Sequence, residues 1–321
     1  MMPDLSDVPR GGTVFLFPGQ GISPHGALAN LYDDQHGAPP SARAEADRVI
    51  REIDNVATAH GYGPVRDVLL ADRSSASAAP LAYGTSQLAH FAASVALARA
   101  LAATGIAPDL IVGHSLGEFS AFVTAGAFTV AEGAELVCAL NDAYRPITGQ
   151  GTMVLVLAGE RDTRAMLADT GREDLAIACV NSPRETIVSG PNAAVAALRA
   201  GGNSRRLFEL DVPYAAHHPG LSEIHGRFID NAKGVRQRPL RVAVHSPVQR
   251  RSCSDADDFP LALADCITNP VHFVEAVNGI AAAADQQLFI EVGAGDTLSR
   301  CVRATVRGAR TIAPLAPPKK R

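Results

Sequence analysis

The segment Leu110-Ile111-Val112-Gly113-His114-Ser115-Leu116-Gly117 constrains this chain more than any other. Three apolar residues run into a glycine, and the residues from Leu116 to Ala125 carry a helical pattern. A serine between two glycines on a sharp strand-to-helix turn belongs at the end of a buried strand in an α/β fold. There its Oγ stands above the sheet, and the flanking glycines allow the close backbone approach that the turn needs. The N–H of Leu116, at the head of the helix, is then free to meet negative charge that develops beside the serine.

The neighbouring segments agree. Thr13-Val14-Phe15-Leu16-Phe17 reads as a buried strand that follows a polar leader and stops at the turn signal Pro18-Gly19-Gln20-Gly21. Helical patterns cover 86–103 and about 130–144. Between about 150 and 212 the rhythm changes, with strands at 153–157, 176–180, 186–189 and 206–210 and helices at 162–169 and 193–200. That order, β-α-β-β-α-β, is the ferredoxin-like arrangement. Strand-type runs return at 240–245 and 288–292, so the smaller unit is expected to be inserted into a larger one.

Composition excludes several classes of function. Apolar residues make up 47% and charged residues 19% of the 321, the balance of a compact enzyme rather than a disordered chain. A net charge of −4 with dispersed basic residues gives no nucleic-acid footprint. The local exception is Arg300, Arg303, Arg307 and Arg310, which would share one face of a helix. The cysteines, Cys138, Cys179, Cys253, Cys266 and Cys301, show no CxxC spacing, so neither a disulfide framework nor a metal site is expected. No apolar run reaches the roughly 18 residues that cross a bilayer. Met1-Met2-Pro3-Asp4 lacks the features of a signal peptide, so the expected location is the cytoplasm. A monomer is the default, and Pro317-Pro318-Lys319-Lys320-Arg321 is expected to be a frayed tail.

A serine hydroxyl is a weak nucleophile and needs a base within hydrogen-bond reach. Of ten histidines, His217 and His218 stand out, directly after the last strand of the inserted unit, and position alone does not choose between them.

Phe17-Pro18-Gly19-Gln20-Gly21, Gln87, Gly113-His114-Ser115-Leu116-Gly117-Glu118, Asn181-Ser182-Pro183, Ser189-Gly190, Tyr214-Ala215-Ala216-His217, Asn269-Pro270-Val271 and Glu291-Val292-Gly293-Ala294-Gly295 occur in that order. Together they resemble the motifs of the malonyl-CoA:acyl-carrier-protein transacylase family, which includes the acyltransferase domains of polyketide synthases. The resemblance implies an α/β-hydrolase-like large subdomain (12–148 and 213–314) with a ferredoxin-like small subdomain (149–212). It also implies Ser115 as acylated nucleophile, His217 as base ahead of His218, and the backbone N–H groups of Gln20 and Leu116 as oxyanion donors. The histidine of this family is oriented by a backbone carbonyl, and the matching position is Cys266. Gln87, His114, Leu140, Tyr214 and Ala216 fall at positions that shape the acyl pocket.

One departure from the family pattern is informative. Relatives that transfer malonyl groups place an arginine twenty-five residues past the nucleophile, where this chain has Leu140 followed by Asn141. An arginine there grips a free carboxylate through paired charge-assisted bonds, and a carboxylate buried without such a partner is costly. Arg145 lies about 140° around the helix from Leu140. The expected activity is therefore that of a discrete ping-pong acyltransferase for a non-malonyl acyl group, with aminoacyl and dipeptidyl groups among the candidates. No bound cofactor is implied; acyl-phosphopantetheine or acyl-CoA is the substrate and acyl carrier protein the partner, Arg300 and Arg303 being candidate contacts. Hydrolysis of stalled carrier proteins and transfer to a small-molecule hydroxyl are the alternatives. An ordinary α/β-hydrolase esterase fits less well, because its histidine falls near the C-terminus.

Overall fold

A computed structural model describes residues 12–32, 38–71, 81–203, 206–283 and 287–316. The expected leader, Met1 to Asp4 included, and the tail from Pro317 to Arg321 lie outside the described residues. In chain order the strands are β1 (Thr13–Phe17), β2 (Leu110–Gly113), β3 (Gly151–Val156), β4 (Ala176–Ser182), β5 (Glu185–Pro191), β6 (Leu207–Glu209), β7 (Ala243–Ser246), β8 (Arg251–Ser252), β9 (Leu288–Glu291) and β10 (Arg310–Ile312).

Among the described residues β10-β9-β1-β2-β7-β8 form one six-stranded sheet, parallel except for β8. Its central strands read as unbroken apolar runs because helices cover both faces, as a parallel sheet requires. Val14 to Phe17 and Leu110 to Val112 are all buried. The helix Thr85–Ala103 is apolar almost all round and correspondingly buried. From β1 the connections lead one way to β2 and β7, and the other way to β9 and β10. The carboxyl ends of β1, β2 and β9 thus open on one crevice at the point where strand order reverses, the place where α/β sheets bind ligands.

The smaller sheet is antiparallel in the order β4-β5-β3-β6, which completes the ferredoxin-like topology. Strand alternation sorts its side chains. Val154, Val156 and Val188 pack in a separate core with residues of the helix Asn192–Leu198, whereas Met153, Leu155 and Leu157 face the crevice and line its cavity. Main-chain bonds help to hold this unit to the larger one. The Gly149 N–H donates to the Pro213 carbonyl at 2.6 Å, where the chain enters and leaves it, and Val180 and Val271 exchange bonds with the facing backbone at 2.8 and 2.9 Å.

The arginine face expected near the C-terminus does not form. The helix Thr297–Thr305 ends at the extended Val306, Gly308 turns the chain at φ +78°, and Arg310 lies in β10. Only Arg300 and Arg303 share the helix.

Gly117 is the tightest point of the elbow. A Cβ there would collide with the Phe17 carbonyl at the end of β1, backbone that cannot move aside. Gly117→Ala is expected to destabilise the protein by about 3 kcal/mol, the upper range for overpacking a core. Guanidinium denaturation checks it, and unchanged stability would show that β1 and the elbow separate freely.

Candidate active site

The elbow forms as the glycines predict. After β2, Gly117, Glu118 and Phe119 donate backwards to His114, Ser115 and Leu116, which starts the helix Gly117–Ala125 in tight turns. Ser115 is left at φ +57° and His217 at φ +58°. Such left-handed backbone is uncommon for residues other than glycine and persists only where surrounding packing enforces it.

These two strained residues face each other. Ser115 Oγ lies 2.7 Å from His217 Nε2, and His217 Nδ1 lies 2.9 Å from the Asn269 carbonyl. A carbonyl oxygen can only accept, so Nδ1 carries the proton and Nε2 presents its lone pair to the serine hydroxyl. The tautomer needed to accept a proton from Ser115 follows from this one backbone contact. Burial pushes the His217 imidazole down to about 4; the bond to Asn269 opposes this shift and His114 adds to it. His217 is accordingly neutral at physiological pH.

Asn269, not Cys266, supplies the carbonyl. Cys266 lies in the last turn of the helix Phe259–Thr268, and the carbonyl that meets His217 Nδ1 is that of Asn269. Asn269 is the first residue past it, extended at ψ 146° and followed by Pro270, so its carbonyl is free to turn toward His217. The Cys266 thiol meets the Ala262 carbonyl and the buried Glu118 instead. His218 is held elsewhere: its Nδ1 accepts from the Gly220 N–H at 3.0 Å and its Nε2 donates to the Asp174 carbonyl at 3.2 Å.

Ser115 opens into a cavity of about 390 Å³. The large subdomain contributes Pro18 to Ile22, His114, Ala216, Ala294, Thr297, Leu298 and Arg300 to its lining, and the small one contributes Met153, Leu155, Leu157, Asn181, Glu185, Ile187, Phe208, Leu210 and Val212. His114 is fixed by a 2.8 Å bond to Asn181 Oδ1 and edge-on packing with Phe273. Leu116 stands at the head of its helix, so its N–H is among those without an intrahelical acceptor; Gln20 lines the cavity. Glu291 sets the wall holding Arg300, its two oxygens accepting from the N–H groups of Leu298 and Ser299 at 3.1 and 2.7 Å.

Of the expected pocket residues, His114 and Ala216 line this cavity, and Gln87, Leu140 and Tyr214 do not. Gln87 donates to the Tyr214 hydroxyl at 2.9 Å, which donates to Gln20 Oε1 at 3.0 Å, and the Tyr214 ring stacks on Tyr144 at 4.0 Å. Gln87 lines a neighbouring cavity that shares Gln20, Gly21, Ile22, Leu210 and Val212 with this one, and Leu140 is part of the main core. Arg145 is engaged away from the cavity by Tyr62, Asp142 and the face of Tyr83. Among the described residues no cluster of three or more His, Cys, Asp or Glu could hold a metal ion, and no helix is long and apolar enough to cross a membrane.

A part-buried serine whose hydroxyl meets a buried, neutral imidazole, at the switch point of an α/β sheet roofed by a ferredoxin-like unit, has the geometry of a nucleophile beside its base. Residues 14–319 match the acyl transferase domain family, and the chain belongs to it. It is 30% identical over 312 residues to erythronolide synthase EryA2 of Saccharopolyspora erythraea, covering 95% of this chain and 8% of that protein. To mycoketide-CoA synthase of Mycobacterium tuberculosis it is 33% identical over 288 residues, covering 88% and 6%. The chain thus spans under a tenth of the length of these curated relatives. Among solved structures it is similar to a loading acyltransferase from the avermectin modular polyketide synthase, with TM-score 0.82 and 26% identity over 95% of this chain and 94% of that one. The acyltransferase domain from module 8 of the salinomycin polyketide synthase gives TM-score 0.82 and 27% identity over 96% and 72%.

Because the folded His217 pKa lies below its unfolded value of 6.5, the neutral base is present throughout pH 5–8. Stopped-flow acylation rates should be flat there and fall only as pH approaches 4; an inflection near 6.5 would mean a solvated imidazole. The same depression makes this group's stability contribution complete above pH 6.5 and progressively lost as pH falls toward 4. Denaturation midpoints across that window check it.

Proposed function

We propose that the chain takes a non-malonyl acyl group from a carrier-protein or coenzyme A thioester, holds it as an ester on Ser115, and passes it to the thiol of an acyl carrier protein. The observation that carries this reading is the linear chain from the Asn269 carbonyl through His217 to Ser115, in which each atom's donor or acceptor role is forced. Ser115 Oγ attacks the thioester carbonyl while Nε2 takes its proton. The N–H groups of Gln20 and Leu116 stabilise the oxyanion, and the imidazolium returns the proton to the departing thiolate. The acceptor thiol reverses these steps. No carboxylate is needed, because the Asn269 carbonyl both fixes the tautomer and faces the positive ring as it forms.

Two features favour a group without a free carboxylate. Leu140 stands where malonyl-transferring relatives carry arginine, and it is buried in the core. Among the described residues that line the Ser115 cavity the one cation is Arg300, whose guanidinium already faces Asp296 at 3.4 Å and Thr297 at 3.3 Å. A carboxylated acyl group would meet mostly Met153, Leu155, Ile187 and Val212. An uncharged acyl group suits that wall better, and an aminoacyl or dipeptidyl group, which brings an ammonium but no carboxylate, would meet Glu185 in the same cavity.

Intact-protein mass spectrometry after incubation with a panel of acyl thioesters tests the reading. A non-carboxylated adduct should accumulate, malonyl should not, and Ser115→Ala should remove every adduct. Efficient malonylation would overturn the substrate assignment, and rapid release of free acid without a carrier would make water the acceptor. His217→Ala is expected to slow acylation by about 10²–10⁴-fold, the range for a lost general base.

A further inference from the structure

Among the described residues six large apolar side chains stand out as exposed: Ile22 at 38%, Ile106 at 40%, Leu157 at 43%, Phe208 at 51%, Leu261 at 44% and Ile312 at 48%. Three of them, Ile22, Leu157 and Phe208, line the cavity that holds Ser115. They come from three separate segments, the turn after β1, the end of β3, and β6. Single exposed apolar residues need no explanation, but a cluster around the mouth of a reactive cavity marks a surface that becomes covered.

The small sheet explains how the mouth is connected to the serine. Met153, Leu155 and Leu157 alternate along one face of the chain at and just beyond β3, and exposure rises from 6% at Met153 to 43% at Leu157. An apolar stripe therefore leads from the cavity interior to its rim. Any thioester that reaches Ser115 through this opening brings its carrier against that rim. The charge at the rim is modest: Arg300 is the one cationic lining residue among those described, it is paired with Asp296, and Arg303 donates to Thr311. A partner seated here meets three apolar side chains, one partly compensated positive charge and the Glu185 carboxylate.

We propose that Phe208, Leu157 and Ile22 form an apolar seat for the acyl carrier protein, with Arg300 as a secondary contact to an acidic group on the carrier. This rests on the carrier-protein reading above and changes its emphasis, from an arginine face to an aromatic anchor. Aromatic side chains at the centre of a contact carry a disproportionate share of its affinity, whereas exposed ion pairs contribute little and are screened by salt.

Titrating the full chain with phosphopantetheinylated acyl carrier proteins of the type II polyketide class, by isothermal calorimetry, tests the seat. Phe208→Asp and Leu157→Asp should each weaken Kd by about tenfold or more. Arg300→Ala should weaken it by about two- to threefold, and raising NaCl from about 50 to 500 mM should cost less than about threefold. Both apolar side chains are half exposed, and matching thermal midpoints establish that the variants are folded. Wild-type binding by Phe208→Asp, or binding lost mainly with salt and with Arg300→Ala, would overturn the proposal. So would a wild-type chain that binds none of these carriers, and Ser115 acylation by coenzyme A thioesters would then show that the acyl-enzyme reading stands without it.

Discussion

The hydrogen bond from His217 Nδ1 to the Asn269 carbonyl is the contact on which the geometry around Ser115 depends. It is a main-chain contact, so no side chain has to be kept ionised beside a buried imidazole. It also sets a direction: donor at Nδ1, bare nitrogen at Nε2, hydroxyl proton pointing from Ser115. Reversing any one of these would leave a buried polar atom unpaired, at a cost of about 1–3 kcal/mol. The carbonyl is free only because the helix Phe259–Thr268 stops one residue earlier and Pro270 cannot continue it. A helix terminus far along the chain from Ser115 therefore fixes the protonation state of the site.

Backbone strain has the same logic. Ser115 and His217 both occupy left-handed conformations, each unfavourable by itself, and they lie on opposite partners of one hydrogen bond. Close packing of Gly117 on Phe17 holds the first. The bond between Gly149 and Pro213, at the neck of the small subdomain, lies four residues ahead of the second. The small subdomain is thus both the apolar wall of the cavity and part of the frame that aims the base.

Much of this was legible in the residues. The glycines around Ser115 announced the elbow because only a tight strand-to-helix turn uses them so, and the β-α-β-β-α-β order announced the inserted unit because its periodicity switches between 2 and 3.6. Strand β10 is not legible in the residues, being a three-residue edge element with too little pattern to read, and the arginine spacing of three and four looks helical although the helix ends at Val306 and Gly308 turns the chain. Asn269 belongs to one of the quoted motifs, yet the family resemblance points to the Cys266 carbonyl. A backbone carbonyl carries no signature of its own in a sequence, and only the observed end of the helix shows which one is free.

What the sequence by itself determined is the set of local geometries: a serine on a turn that needs glycine, strands apolar on both faces, and an inserted unit whose strands and helices alternate. These follow from steric limits and periodicity within short stretches of chain. The tertiary structure decided everything that joins distant segments: that His217 rather than His218 meets Ser115, that Asn269 orients it, that Tyr214 is tied up between Gln87 and Gln20, and that Ile22, Leu157 and Phe208 converge on one rim. Hydrogen-bond direction and apolar exposure are properties of atoms brought together by folding, so they have no value until the chain is folded.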